Sequence, residues 1–290
     1  MIGKWHTACL SLHAKLFIQK NKTTTMKKQL NATKTKKRFM NAMLFLFLFT
    51  ILDLAVNAQQ QQAVKNIVIV HGAFADGSGW EAVYKILTKK GYHVTIVQNP
   101  LTSLEDDAAA TKRALDKQDG PAVLVGHSWG GVVITETGGD PKVARLVYIA
   151  AYIPEVGESA LTLASSAPTL PEYGIMQPDE NGIVYYSKEK FHYGFAADLA
   201  KNKSDFLYDS QGAITAKALT TPVTYAAWKT KPSYSVIATG DKSINPVITR
   251  RLSKRANAIT TEIQGSHAIY ISQPAKIAAF IEAAAKGASF

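Results

Sequence analysis

The chain has 290 residues, of which 47% are hydrophobic, so it can bury a sizeable core and is too apolar to be a disordered protein. Its formal net charge of +11 is concentrated at the N-terminus, because residues 1–58 contain ten Lys or Arg and one acid, Asp53. The remaining 23 basic and 21 acidic residues nearly balance, which excludes nucleic acid as an expected partner.

Residues 1–58 are predicted to be a leader that exports the protein. A basic run at 34–39 precedes an apolar run at 42–52 and a small-x-Ala sequence before Gln59, the order that is typical of a secretory signal peptide. The apolar run is shorter than the roughly 20 residues of a membrane-spanning helix. We therefore expect a cleaved leader without stable membrane anchoring, the alternative being an uncleaved anchor. The one cysteine, Cys9, lies in this leader, so disulfides and cysteine nucleophiles are not expected in the mature protein.

From residue 66 the chain alternates β-rich runs with helical patterns, which is typical of βαβ units. The first half predicts strands at 66–70, 93–97, 122–126 and 144–151. Between them it predicts helices at 79–90, at 104–117 and after Trp129. The second half predicts a strand at 233–241, a helix at 245–256, a strand at 258–263, and a terminal helix at 272–286 with Ser272 as its N-cap. The pattern predicts an α/β fold with a mostly parallel, doubly wound sheet.

Residues 154–231 break this alternation and predict a helical cap inserted into a core of residues 59–153 and 232–290. An insertion of about 75 residues is too long for a plain loop. Its large apolar and aromatic side chains can line a substrate pocket or form the core of the cap itself, and they are Tyr173, Met176, Tyr185, Tyr186, Phe191, Tyr193 and Phe195.

Residues 126–130, Gly-His-Ser-Trp-Gly, end the third predicted strand and precede an apolar helical pattern. One interpretation is a core strand broken by glycines. The other is a nucleophile elbow, G-x-S-x-G, in which glycines leave room for a sharp turn and the serine hydroxyl stands free of the backbone. The position between a strand and a helix favours the elbow, with Ser128 as the nucleophile.

A serine nucleophile needs a base, and His267 is the candidate because it follows the last predicted strand, at the edge of the sheet where α/β active sites form. Asp241, at the end of another strand, is the candidate that orients this histidine. A surface-loop histidine and an ordinary turn aspartate are the alternatives. The chain order Ser–Asp–His favours a catalytic triad.

The oxyanion formed by such a nucleophile needs two backbone N–H donors. We expect one from Trp129, directly after the serine, and one from Ala73 in the loop after the first strand. Phe74 and Trp129 are expected near the mouth of the site. That loop contains Gly-Ser-Gly, but the chain has neither G-x-G-x-x-G nor a P-loop, so no nucleotide cofactor is expected.

Six segments carry a resemblance to a known family: "HGAFADGSGW", "PLTSLEDD", "GHSWGG", "VYIAAYIPEVGES", "ATGDKSINP" and "GSHAIYISQP". Together they resemble the α/β-hydrolase superfamily and, more narrowly, small bacterial hydrolases related to plant methylesterases and hydroxynitrile lyases. The resemblance spans residues 66–286 and implies the triad, the oxyanion donors, a helical cap and no cofactor or metal. It departs at Ala268, where lyases of this group carry a lysine, so lyase activity is not expected.

The expected activity is cofactor-free hydrolysis of carboxylic esters of small, apolar or aromatic substrates, through an acyl-enzyme on Ser128. The candidate substrate-binding residues are Phe74, Met176, Phe191 and Tyr193. Lactone or amide hydrolysis by the same triad, and a non-catalytic ligand-binding protein, are the alternatives. No sequence feature indicates the oligomeric state.

Overall fold

Parallel strands form the central sheet of the computed structural model, which describes residues 64–288. The predicted leader lies outside the described residues. The strands of this part of the chain are β1 (Asn66–Val70), β2 (His93–Val97), β3 (Ala122–His127), β4 (Val143–Ile149), β5 (Ile183–Val184), β6 (Ile214–Thr215), β7 (Ser233–Ala238) and β8 (Ile259–Ile263). Six of them form a parallel sheet in the order β2-β1-β3-β4-β7-β8, while β5 and β6 form an antiparallel hairpin.

Helices cover both faces of the sheet, which confirms the predicted doubly wound α/β fold. The α-helices of residues 64–288 are α1 (Glu81–Lys89), α2 (Leu104–Asp116), α3 (Gly130–Thr137), α4 (Ala160–Ala164), α5 (Lys188–Phe195), α6 (Lys201–Asp209), α7 (Ala216–Thr220), α8 (Pro246–Arg255), α9 (Ile269–Ser272) and α10 (Pro274–Lys286). Side chains of α2, α3 and α8 join one core cluster, and those of α1 and α10 join the other. Burial on both faces explains why β1 and β3 are continuous apolar runs, whereas the edge strands β2 and β8 are partly exposed.

The strand order reverses at β1, which pairs with β2 on one side and β3 on the other. Loops that leave the carboxyl ends of β1 and β3 diverge at this point and open a crevice, the usual binding site of doubly wound sheets. The elbow sequence and the Ala73 loop begin at these two strand ends, so the topology brings them together.

Residues 154–231 connect β4 to β7, and we call this segment the insert. It contains α4 to α7 and the β5–β6 hairpin. Backbone hydrogen bonds join it to the loops after three sheet strands: Gly212 accepts from Phe74, Thr215 donates to Leu101, and Phe195 accepts from Ala268. The insert therefore covers the carboxyl edge of the sheet.

The chain from Ile269 onward differs from the prediction of one helix at 272–286. Helix α9 ends at Ser272, Gln273 takes a non-helical conformation, and α10 starts at Pro274. Proline lacks a backbone N–H and disfavours the helical conformation in the residue before it, which explains the break. The prediction that Ser272 is the N-cap is wrong, since Gln273 occupies that position.

No helix within residues 64–288 combines the length and the apolar character that crossing a membrane requires.

Candidate active site

Ser128 lies in a strained turn between β3 and α3. Its φ is +53°, in the left-handed region that non-glycine residues rarely adopt. A Cβ added to Gly126 would lie 2.5 Å from the carbonyl oxygen of Gly130, and one added to Gly130 would collide with the carbonyl oxygen of Val70. Glycine is therefore required at both flanking positions. A nucleophile elbow has this requirement, whereas a core strand that is merely broken by glycines does not explain it.

His267 bridges the serine and a buried carboxylate. Its Nε2 lies 2.8 Å from Oγ of Ser128, and its Nδ1 lies 2.7 Å from Oδ2 of Asp241. The other carboxylate oxygen, Oδ1, accepts hydrogen bonds from the backbone N–H groups of Ser243 (2.8 Å) and Ile244 (2.9 Å). Because an ionised carboxylate only accepts hydrogen bonds, Nδ1 of His267 donates and Nε2 is free to accept the serine proton. The structure thus brings all three predicted triad residues into one hydrogen-bonded chain.

The loop that carries His267 is held by contacts from the insert. Asp198 accepts hydrogen bonds from the backbone N–H of Ser266 (2.9 Å), from the hydroxyl of Ser266, and from the hydroxyl of Ser272 (2.7 Å). The ring of Phe195 packs edge-on against the imidazole of His267, with ring centroids 4.9 Å apart. These contacts fix the imidazole relative to the serine.

His127, directly before Ser128, also contacts His267. Its Nε2 donates to the carbonyl oxygen of His267 at 2.9 Å, and the two rings lie 4.7 Å apart. Burial, followed by the neighbouring imidazole, lowers the pKa of His127 well below its usual value. His127 is therefore a neutral group that helps to position His267.

Two backbone N–H groups near Ser128 are left without an acceptor. Among residues 64–288, neither Ala73 N–H nor Trp129 N–H donates a hydrogen bond, whereas the adjacent Phe74 N–H donates to Gly212. Both residues line the cavity that contains Ser128. Buried N–H groups are nearly always paired in native proteins, so these two are suited to bind an oxygen that is absent from the free protein.

Asp107 anchors the side chain of Trp129. This fully buried carboxylate accepts hydrogen bonds from Nε1 of Trp129 (2.7 Å) and from the backbone N–H of Leu101 (2.8 Å). Burial raises the pKa of Asp107 to about 6, although both hydrogen bonds oppose the shift. Trp129, the residue after Ser128, is therefore fixed through its indole as well as through its backbone.

An apolar cavity of about 230 Å³ opens at the triad. Ser128, His267, Ala73 and Trp129 contribute to its lining, and most of the other lining residues come from the insert. The lining contains no Asp, Glu, Lys or Arg side chain. Within residues 64–288 no cluster of His, Cys, Asp or Glu is arranged to hold a metal ion.

The four candidate substrate-binding residues divide between the cavity and other parts of the molecule. Phe74 and Met176 line the cavity. Phe191 does not, because it is buried and stacks on Phe195 with ring centroids 4.8 Å apart. Tyr193 also does not line it and is 62% exposed. Both interpretations of the aromatic insert thus hold in part, with one group of side chains forming its core and another lining the cavity.

The model of the "Alpha/beta hydrolase family" matches residues 67–280 of the chain. The chain belongs to the alpha/beta hydrolase family. Its relatives include the alpha/beta hydrolase nvfD of Aspergillus novofumigatus, with 28% identity over 76% of this chain and 96% of the relative. A carbendazim hydrolyzing esterase of a Nocardioides species is 33% identical over 35% of this chain and 48% of the relative. The solved structure of a pyrethroid hydrolase from Sphingobium faniae superimposes with a TM-score of 0.64 at 22% identity, over 77% of this hydrolase and 97% of that protein.

Several residues that shape the site of this hydrolase were not singled out from the sequence. Tyr152 lines the cavity, Asp107 holds Trp129, and Asp198 holds the His267 loop. Tyr152 follows the end of β4 by three residues, and this position at the carboxyl edge of the sheet is the one sequence signal that points to it. Asp107 and Asp198 have no such signal, because their partners lie far away along the chain.

Proposed function

We propose that this hydrolase cleaves neutral carboxylic esters through a covalent acyl-enzyme on Ser128. The observation that carries the proposal is the chain of hydrogen bonds from Asp241 through His267 to Ser128 Oγ, at 2.7 and 2.8 Å. An uncharged serine hydroxyl is a weak nucleophile, and a hydrogen-bonded base that is itself oriented by a carboxylate is the arrangement that activates it.

In the proposed reaction, Nε2 of His267 takes the proton of Ser128 as Oγ attacks the ester carbonyl carbon. The oxyanion of the tetrahedral intermediate accepts hydrogen bonds from the N–H groups of Ala73 and Trp129, which have no other acceptor in the described chain. The imidazolium then protonates the leaving alcohol. A water molecule, deprotonated by the same nitrogen, attacks the acyl-enzyme and releases the acid, which restores Ser128.

The walls of the cavity support a small, uncharged and largely apolar substrate. Its volume of about 230 Å³ and the absence of acidic, Lys or Arg side chains from its lining disfavour an ionised group near the scissile bond. Two relatives are named an esterase and a pyrethroid hydrolase, which agrees with ester cleavage as the reaction class. The alanine after His267 lacks the cation with which related lyases stabilise a cyanide leaving group.

The test is turnover of p-nitrophenyl esters of graded acyl length by the wild type, Ser128→Ala and Ser210→Ala. Ser210 is exposed and lies outside the cavity, so it is the matched control. We expect Ser128→Ala to lower kcat by at least about 10⁴-fold with an unchanged circular dichroism spectrum. A fluorophosphonate probe should label Ser128 and no other serine. Turnover by Ser128→Ala within tenfold of the wild type contradicts the mechanism, and a folded wild type that binds esters without turnover favours a ligand-binding role.

We also propose, from the charge and hydropathy pattern of residues 1–58 alone, that the protein is exported. Expression of the full chain followed by N-terminal sequencing of the protein outside the cytoplasm tests this. A mature N-terminus at Gln59 is the expected result. Retention of the complete chain in the cytoplasm contradicts the proposal.

A further inference from the structure

A second cavity, of about 200 Å³, adjoins the one that contains Ser128. The two cavities share part of their lining, so they are neighbouring chambers of one site. The shared residues are Tyr152, Leu161, Ala164, Tyr173, Gln177, Ser243 and Ile244. The second chamber extends under α4 toward the start of α8 and does not reach the catalytic serine.

Two tyrosine side chains stand at this boundary with unused hydroxyl groups. Neither the phenol of Tyr152 nor that of Tyr173 makes a hydrogen bond within residues 64–288, although Tyr152 is only 7% exposed. Buried phenols normally find a partner. Tyr148 and Tyr186 illustrate this, since their hydroxyls lie 3.0 Å from Thr135 and 3.1 Å from Ser243, respectively.

Tyr152 is tied to Ser128 through its main chain. Its backbone N–H donates to the carbonyl oxygen of Ser128, at 3.4 Å. Ser243, another polar residue of the shared wall, cannot take over the role of the phenols, because its hydroxyl already donates to the carbonyl oxygen of Gly194 at 3.0 Å. The two unpaired phenols are therefore hydrogen-bond donors that this wall offers to a ligand, beside the exposed amide of Gln177.

The charges around the boundary select a neutral ligand group. Burial raises the pKa of both phenols, and Asp241 contributes to the shift at Tyr152, so both remain protonated donors at neutral pH. The same carboxylate disfavours an anion beside Tyr152. The charged side chain in the lining of the second chamber is Lys242, which is paired with Glu172 at 3.5 Å.

We propose that the phenols of Tyr152 and Tyr173 form a subsite that donates hydrogen bonds to a neutral oxygen, an ether or a carbonyl, in an arm of the substrate that reaches from the Ser128 chamber into the second chamber. This inference rests on the proposed ester hydrolysis and deepens it by naming the substrate class. The preferred ester is uncharged and carries an oxygen acceptor away from the scissile bond. An all-hydrocarbon arm excludes water from both hydroxyls without giving them a partner and is discriminated against.

The test compares esters that differ only in an oxygen replacing a methylene. For the acyl arm, p-nitrophenyl 4-phenoxybutanoate is paired with p-nitrophenyl 5-phenylpentanoate. For the alcohol arm, 3-phenoxypropyl acetate is paired with 4-phenylbutyl acetate, and in both arms the ether oxygen is also moved along the chain. The measured quantity is the ratio of kcat/KM for the ether to kcat/KM for its hydrocarbon partner, in the wild type, Tyr152→Phe, Tyr173→Phe and Tyr148→Phe.

We expect the ratio for the best oxygen position to fall by about threefold to tenfold in Tyr152→Phe and in Tyr173→Phe, the usual value of one hydrogen bond to a neutral acceptor. Tyr148→Phe removes a buried phenol outside both chambers and should keep the wild-type ratio. Loss of turnover of both esters in parallel, with an unchanged ratio, assigns the tyrosines to packing and overturns the inference. Ser128-dependent turnover with equal ratios in all proteins overturns the inference alone. Absence of Ser128-dependent turnover in the wild type overturns the proposed function and the inference with it.

Discussion

Replacing Gly126 by alanine tests whether close packing at the elbow sets the catalytic geometry. Gly126 is the penultimate residue of β3 and lies two positions before Ser128. A Cβ added to it would face the first turn of α3. It would lie 2.5 Å from the carbonyl oxygen of Gly130, 2.7 Å from its carbonyl carbon and 2.9 Å from the N atom of Gly131. All three are backbone atoms, so no side-chain rotation can relieve the contact.

The distances give the size of the required movement. Because Cβ atoms essentially never approach other heavy atoms closer than 3.0 Å, the start of α3 must move away by about 0.5 Å, and by nearly 1 Å for an ordinary contact. This movement displaces Trp129 N–H from the oxyanion position. A misplacement of about 1 Å costs roughly 100-fold in rate, so we expect kcat/KM to fall by about 10-fold to 100-fold. Overpacking of this kind lowers the free energy of unfolding by about 1–3 kcal/mol.

The assay is kcat/KM on a p-nitrophenyl ester, together with urea unfolding of the same preparations. Gly120→Ala is the matched control, because the nearest atom to its added Cβ is Nδ2 of Asn66 at an ordinary 3.7 Å. The control should keep wild-type activity and lose at most about 0.5 kcal/mol of stability. Wild-type kcat/KM in Gly126→Ala would refute the reasoning, since the elbow would then tolerate a displaced helix start.

Three further predictions concern the acids around the site. Asp241→Asn should lower kcat by about 10⁴-fold in the ester assay, because an amide in place of the acceptor no longer selects the required tautomer of His267; a loss of less than tenfold would remove Asp241 from the triad. Asp198→Ala should lower kcat/KM by about 100-fold, because the His267 loop loses three hydrogen bonds to this carboxylate, and unaltered activity would show that the loop holds itself. Burial raises the pKa of Asp107 from 3.8 to about 6, so the folded state holds this proton more tightly than the unfolded chain. The ionisation of Asp107 therefore lowers the free energy of unfolding by about 3 kcal/mol as pH rises from about 4 to about 6. This part of the pH dependence, measured by urea unfolding, should be missing in Asp107→Asn, and identical slopes in both proteins would contradict it.

The sheet and the elbow could be predicted because their signals are local. The buried runs of β1 and β3 and the Gly-x-Ser-x-Gly turn are each contained in a few consecutive residues. Chain order then restricted the partners of Ser128 to residues that follow later strands. The fold class and the membership of the α/β-hydrolase superfamily were confirmed, while the chemical roles of the triad remain predictions for the variants above to test.

The contacts that support the site could not be predicted, because each joins segments that are distant in the chain. Asp107 lies in the first turn of α2, where an acid is an ordinary feature of a helix start, yet it is fully buried against Trp129, 22 residues later. Phe191 and Tyr193 are two residues apart and equally plausible as pocket residues in the sequence. Their helix faces decide the outcome, since one is buried in the insert and the other is 62% exposed. Serine is a favourable residue type for an N-cap, which favoured Ser272, but Pro274 determines where α10 starts.

The contacts of the insert also determine how a substrate can reach Ser128. The segment from Phe195 to Asp198 holds the loop of His267, so lifting the insert as one lid would break the bonds that position the base. Leu161 and Met176, in contrast, line the cavity while remaining 49% and 53% exposed, which places the mouth between α4 and the loop before β5. The expectation that Phe74 and Trp129 lie near the mouth is wrong, because both are buried. An opening at this mouth would leave the hydrogen bonds from the His267 loop to Asp198 intact. The insert therefore both lines the cavity and supports the loop that carries His267.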